Sequence, residues 1–406
     1  MITLKRLRGY TTVIAICLWT VWSFDFAIEG PIDRLGKVKG TDFLHMYVIG
    51  SLAHEQRWNE LYDVRAQYAR TQSVAPTSHE TLFVPVESPQ MALLFAPLAV
   101  HAYTVALAMW LAATVLLYAA CCLLMWRECK ALHGHGYVVA ASCLAFPGLF
   151  SVVLHGQLSG VSLACLVAAL LALRGGRKFL AGLALGLLVF KPHWAVTAGA
   201  VFLVAREWRV VAGIAIAAIG QVALTYAVVG SSVMNAYWRV LRSLPRIVDL
   251  LEPIPGDSLK GFFQAFAPSQ PVAFALYGVA ALVTLVLTAR IWRSRASFEV
   301  RCSAVVLALV LANPHVNGYD LLLLAPVYFL LTNWLVESAF DRRTEALPAL
   351  LCLSFLAPLL TGLPSVVRLL FSVGMPAAIL LILWRVAGER DRPAEASAVT
   401  AAAAIL

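Results

Sequence analysis

Asp42 stands in Gly40-Thr41-Asp42-Phe43-Leu44-His45-Met46-Tyr47, in the first long polar segment after the first apolar run. A carboxylate in a partly desolvated cavity can accept a proton from a hydroxyl as that oxygen attacks. The plainer alternative is an N-cap for a helix starting at Phe43, a place that Asp suits well. The two roles are compatible. Further on come His155-Gly156-Gln157, Lys191-Pro192-His193 and Asn313-Pro314-His315, the last followed by Tyr319-Asp320. Each lies where one apolar run ends and another begins. Ionisable groups beside apolar helices are costly and usually functional. Simple turn chemistry would also explain Gly156, snorkelling Lys191, and capping of a helix from Leu321 Asp320. Arg239, Arg242 and Arg246 are spaced to share one helix face, where they would clamp a phosphate or touch anionic headgroups. Lys260, in Gly256-Asp257-Ser258-Leu259-Lys260-Gly261, is a further phosphate candidate.

Those residues need elements to hold them, and composition says which kind. The chain has 406 residues, 61% of them hydrophobic and 13% charged. Soluble domains carry nearer ~25% charge. Apolar runs recur from Tyr10 to Val386, so an all-α, polytopic transmembrane bundle is expected. Basic clusters at Lys5-Arg6-Arg8, Arg127/Lys130, Arg174-Arg177-Lys178, Arg206/Arg209, Arg290 to Arg301, Arg342-Arg343 and Arg385 to Arg392 set its orientation. They all face the cytoplasm if spans lie near 10–28, 103–126, 137–154, 158–173, 179–190, 194–205, 209–229, 271–291, 300–312, 319–336, 346–361 and 366–385. That makes about 12 crossings with both termini inside, charged about +10 within and about −1 outside. The first run reads as a retained helix, not a cleaved signal. The stretch 179–205 requires a pair of short helices broken at Lys191-Pro192, because proline removes a backbone donor.

On this topology residues 1–392 form a single membrane domain and 393–406 an Ala-rich tail. Two outer loops, about 29–102 and 230–270, carry amphipathic stretches at Phe43–Arg57 and Leu61–Thr71 and an apolar one at Pro89–Val100, expected as surface helices with room for one partly inserted helix. Asp42, His45, His155, Gln157, Lys191, His193, Asn313, His315, Asn317 and Asp320 then gather at the outer face. The eight cysteines avoid the outer loops and lack metal-ligand spacing, so neither disulfides nor a thiolate metal site is expected. The net charge of +9 reports cytoplasmic Lys and Arg facing anionic lipid, not a nucleic-acid partner. No Walker A, Gly-rich dinucleotide loop or HExxH is present, and no cytosolic domain is available for a nucleotide. An enzyme built this way would draw its activated substrate from the membrane.

Taken in order, these pieces resemble the polyprenyl-phosphate-dependent glycosyltransferases of the GT-C fold. Within them the chain is most similar to glycosyltransferase family 87, the α-mannosyltransferases that include the mycobacterial phosphatidylinositol-mannoside enzyme. The likeness runs over about residues 10–340. It rests on Asp42-Phe43, Leu61-Tyr62-Asp63, Ala96-Pro97-Leu98 with Trp110, His155-Gly156-Gln157-Leu158-Ser159, Lys191-Pro192, Arg206-Glu207-Trp208-Arg209, Ser258-Leu259-Lys260-Gly261 and Asn313-Pro314-His315…Tyr319-Asp320. The resemblance implies Asp42 as base on the acceptor hydroxyl and a polyprenyl-phosphate sugar, by default mannose, as donor. The acceptor would be a lipid-linked sugar or glycan, and the sugar would be inverted at its anomeric carbon. It puts His315 near the reaction centre and Lys191, Arg239, Arg242 and Lys260 near the donor phosphate. His45, Glu87, His155, Gln157, His193, Asn313, Tyr319 and Asp320 complete the expected substrate site. It also implies a multi-pass protein of the bacterial inner membrane whose site faces the periplasm or exterior. The family's Tyr-Pro-Pro is here Val86-Glu87-Ser88-Pro89, which adds a second outer carboxylate, and its Asn-Gly-Gln is His155-Gly156-Gln157. No cofactor and no obligatory metal are expected, since Lys and Arg can neutralise the leaving phosphate. Two other classes stay open: a transporter or flippase of a lipid-linked envelope precursor, which broken helices and polar residues would suit, and a non-catalytic membrane partner.

Overall fold

A computed structural model describes residues 3–76, 83–251, 256–338 and 342–390, with side chains except at 244–251, 361, 389 and 390. The side chain of Arg246 and the tail from 393 onward lie outside the described residues. About 82% of the structure is helical, and no strand is formed among the described residues. Helices α1 (Leu4–Phe26), α2 (Thr41–His54), α3 (Val64–Val74) and α4 (Pro89–Phe95) precede the long α5 (Tyr103–Glu128). Next come α6 (Gly136–Ala145), α7 (Pro147–His155), α8 (Ser159–Arg174), α9 (Lys178–Gly186), α10 (Pro192–Val204) and α11 (Trp208–Leu251). The chain closes with α12 (Leu259–Phe266), α13 (Gln270–Arg293), α14 (Phe298–Leu311), α15 (Ala325–Glu337), α16 (Leu347–Leu356), α17 (Ser365–Leu369) and α18 (Met375–Arg390).

Among the described residues, seven helical stretches are long and apolar enough to cross a membrane: Tyr103–Glu128, Lys130–His155, Trp208–Ser243, Gln270–Arg293, Gly318–Glu337, Arg342–Leu360 and Ser365–Gly388. Twelve helical segments do sit near the expected spans, but the others do not meet this requirement. α8, the 178–190 stretch and α10 have at most 16 residues, short of the ~20 a crossing needs. α14 has 14 residues and is buried from Cys302 to Leu311, so it lies inside protein, not against lipid. The break expected at Lys191-Pro192 is present: a 3-10 turn ends at Phe190, and Pro192 opens α10 at a position where its missing N–H costs nothing.

The largest departure is α2. It is not an amphipathic surface helix, since every residue from Phe43 to Ala53 is buried. Apolar residues on all sides make a helix a core element, and α2 is enclosed by α3, α4 and α5. Phe43 packs against Phe95 at 5.8 Å and Tyr103 at 5.6 Å. Burying each such side chain stabilises by about 1.5–3 kcal/mol. α2 also starts earlier than expected. Gly40, with φ of 63°, is its N-cap, and Asp42 lies inside the first turn without capping it. Its carboxylate is thereby left for longer-range partners.

α9 and α11 approach so closely that their backbones touch through glycine. A Cβ on Gly182 would sit 2.1 Å from the Val210 carbonyl oxygen. Small residues permit such contacts between helices in lipid.

Candidate active site

The polar residues at the helix junctions converge. Asp42 Oδ2 accepts a hydrogen bond from Gln157 Nε2 at 2.8 Å. The other end of that amide, Gln157 Oε1, accepts from the Leu158 N–H at 3.0 Å and from Lys191 Nζ at 3.2 Å. Two donors at one end require the oxygen there, so the NH2 must face Asp42. Lys191 Nζ lies 3.4 Å from Asp320 Oδ1 in a nearly buried ion pair and 5.4 Å from the Tyr319 ring centroid. Asp320 Oδ1 also accepts from Ser159 Oγ at 2.8 Å, and Oδ2 from the Asn317 N–H at 3.2 Å. A chain of bonds thus runs from Asp42 through Gln157 and Lys191 to Asp320, joining α2, the α7–α8 junction, the start of α10 and the turn before α15.

The sequence folds this way for local reasons. Gly156 ends α7 with φ of 69°, and a Cβ there would come within 2.5 Å of Phe43 Cβ. The bend it allows turns Gln157 toward Asp42. Trp110 Nε1 fixes the bend by donating to the Gly156 carbonyl at 2.9 Å. Asp320 is not an N-cap for a helix from Leu321. Asn317 caps the turn Gly318–Leu324, with Asp320 as its reciprocal partner in a capping box. Ser159 was given no separate role from sequence, yet its hydroxyl completes the Asp320 shell. Its sequence signal is its place at the end of His155-Gly156-Gln157-Leu158-Ser159.

Asp42 and Asp320 are unlike in what they have left to give. Asp320 is 2% exposed and both its oxygens are engaged. Asp42 is half-buried, and among the described residues its Oδ1 makes no hydrogen bond. One oxygen is oriented and the other is open. Glu87 lies in the field of Lys191, Asp42 and Asp320, and its carboxyl has no hydrogen-bond partner among the described residues. Its backbone is held from two sides: Tyr62 OH donates to the Glu87 carbonyl at 3.1 Å, and Ser88 Oγ to that of Phe190 at 3.1 Å. Desolvation, with two like charges nearby, pushes the Glu87 carboxyl up to about 7 against the pull of Lys191.

The remaining candidates divide. Tyr319 OH accepts from Asn317 Nδ2 at 2.8 Å, and its ring lies 5.6 Å from His155. His155 Nδ1 bonds the Ser151 carbonyl at 2.8 Å. The His193 and His315 rings meet edge to face at 5.8 Å. Asn313, fully buried, accepts from the His315 N–H at 3.0 Å, while its own NH2 and His193 Nε2 are buried without a partner among the described residues. Lys260 is half-buried in the first turn of α12. His45 is engaged elsewhere: it bonds Gln67 Oε1 at 3.2 Å and stacks on Phe83 at 4.7 Å. Burial pulls His45 down to about 4, which keeps its ring neutral. Arg239 and Arg242 are exposed on α11, and among the described residues no bond ties them to the cluster. Among the described residues, no three or more His, Cys, Asp or Glu are grouped to hold a metal ion. A cavity of about 490 Å³ along Ile16, Trp19 and Phe24 of α1 has a largely apolar lining and none of these residues.

A family model for glycosyltransferase family 87 matches residues 87–314, more than half of the chain. The chain belongs to glycosyltransferase family 87, and its class is that of a membrane glycosyltransferase. The match contains Glu87, Gln157, Ser159, Lys191, His193 and Asn313, while Asp42 lies before it and His315 to Asp320 just after it. No curated protein and no solved structure matches the chain.

Proposed function

We propose that the protein moves a sugar, with mannose the first candidate, from a polyprenyl-phosphate donor to a hydroxyl of a lipid-linked or glycan acceptor, with inversion, at the outer face of a bacterial inner membrane. The family gives the reaction type, and the free Oδ1 of Asp42 beside a fixed Oδ2 is the observation that carries the mechanism. The acceptor oxygen attacks the anomeric carbon and its proton passes to Asp42. The bond from that carbon to the phosphate oxygen breaks, and the electron pair leaves with the polyprenyl phosphate. Lys191 has three N–H donors, of which Gln157 and Asp320 take two, leaving one for the phosphate. His315 and His193 stand beside it, and Glu87, protonated over part of the neutral range, offers an O–H to a sugar or phosphate oxygen. Arg239, Arg242 and Lys260 are kept as contacts to the lipid phosphate at the membrane border. No metal is needed, because Lys191 and these cations supply the charge that stabilises the leaving anion. Activity should therefore survive EDTA; loss with EDTA and recovery on adding a divalent ion would refute that point. The transporter alternative gains nothing from the family or the geometry.

The test is transfer from radiolabelled polyprenyl-phosphate mannose in membranes holding wild-type or Asp42→Asn protein at equal levels. Loss of a general base costs about 10²–10⁴-fold, so product should vanish in the variant. Equal transfer by both would remove Asp42 from the mechanism. No transfer by wild type would point to another donor sugar or to transport, which sealed vesicles would decide.

A further inference from the structure

Asp257, just before α12, is 2% exposed. Its Oδ1 accepts from Arg368 Nη1 at 2.5 Å and from Ser372 Oγ at 2.8 Å. Arg368 lies on α17, and Ser372 in the π-helical turn Leu370–Gly374 that leads into α18. π-helical turns are rare and frequently mark functional sites; this one sets a hydroxyl and a guanidinium on the same oxygen. The backbone of Asp257 meanwhile grips the loop after α14. Its N–H donates to the Val316 carbonyl at 2.6 Å, and Ser258 Oγ donates to that of Pro314 at 3.1 Å. Gly256 presses on the same strip, where a Cβ would sit 2.9 Å from the Val316 oxygen. One residue, Asp257, therefore links the α17–α18 junction through its carboxylate to the loop that carries His315, Asn317, Tyr319 and Asp320 through its backbone N–H.

We infer that Asp257 and Arg368 are positioning residues for sugar transfer: their buried ion pair holds the 313–320 loop in register, and with it His315 and the Asp320–Lys191 pair. The inference rests on the proposal above that this loop borders the reacting centre. A buried ion pair is often no more stable than an apolar filling of the same space. What it adds here is direction, since two donors meet at one carboxylate oxygen. Arg368 lies 54 residues beyond the end of the family match (368 − 314), and it is joined to the loop through Asp257.

Arg368→Gln and Asp257→Asn are compared with wild type as purified full-length protein, with Ser372→Ala as the milder variant should neither fold. Two quantities are read: hydrogen exchange of the amides at 313–320, and kcat per folded molecule. We expect exchange there to quicken at least about tenfold and kcat to fall about ten- to a hundredfold, as misplacement of reacting groups does. KM should change less than about threefold, the mark of an interaction felt in the transition state. Unchanged exchange, or kcat per folded molecule at the wild-type value, overturns the inference. A wild type that transfers no sugar from the labelled donor defeats the proposed function instead, and exchange alone then decides whether the ion pair holds the loop.

Discussion

Glu87 is the residue whose chemistry is least like that of its free amino acid. Its carboxyl is raised from 4.5 to about 7 because the surroundings disfavour its charge. Over that window the folded chain holds a proton that the unfolded chain has released. Proton uptake on folding makes stability fall as pH rises, by at most about 1.4 kcal/mol per unit, and the loss levels off above the folded value. Glu87→Gln cannot ionise, so its melting temperature should vary less than that of wild type between about pH 5 and 7. An identical slope in both proteins would assign the proton elsewhere. Asp42 and Asp320 show what a residue type leaves open. Both lie at helix starts and both read as caps, but neither is the N-cap of its helix. Gly40 and Asn317 do that work, which frees Asp42 for Gln157 and Asp320 for Lys191 and Ser159.

At the scale of elements, helix positions were legible because apolar runs and prolines are local signals. The Lys191-Pro192 break and the bend at Gly156 could both be read from the sequence, since each rests on one residue's backbone chemistry. The burial of α2 was not, because a short apolar helix looks alike at a membrane surface and in a core until its neighbours are known. The Asp257–Arg368 pair was equally hidden: its members stand 111 residues apart and neither belongs to a local pattern. Length decides the fate of the short spans. α9 compensates by lying against α11 along glycine-lined contacts, with Gly213 also pressed on the Phe179 carbonyl. Gly182→Leu must push the two helices apart and should destabilise the protein by more than about 3 kcal/mol, the upper range for overpacking a well-filled core. A thermal transition in detergent within a few degrees of wild type would show that the contact is dispensable. The same substitution at Gly199, where a Cβ meets nothing within 4 Å, serves as the control.

For the whole molecule, the family identifies the chemistry and the charge pattern proposes which way it faces. The polar cluster gathers at helix junctions on alternate turns of the chain, and the basic clusters occupy the other turns. If the positive-inside rule holds, a cysteine placed at Lys37 should react with an impermeant maleimide in intact cells. One placed at Arg177 should react only after permeabilisation. The reverse pattern would invert the topology and move the site to the cytoplasm. The eight native cysteines must be removed first, because Cys17 on α1 is exposed.

The bonded chain from Asp42 to Asp320 also has a meaning in time. About 280 residues separate its ends, and synthesis at 5–20 residues per second takes on the order of half a minute to cover them. During that interval the nascent protein carries the carboxylate of Asp42 while Gln157, then Lys191, then Asp320 emerge in turn. The ribosome thus assembles the enzyme's chemistry last, and a chain stopped at the edge of the family segment would have every long α5-to-α13 helix in place and no complete site.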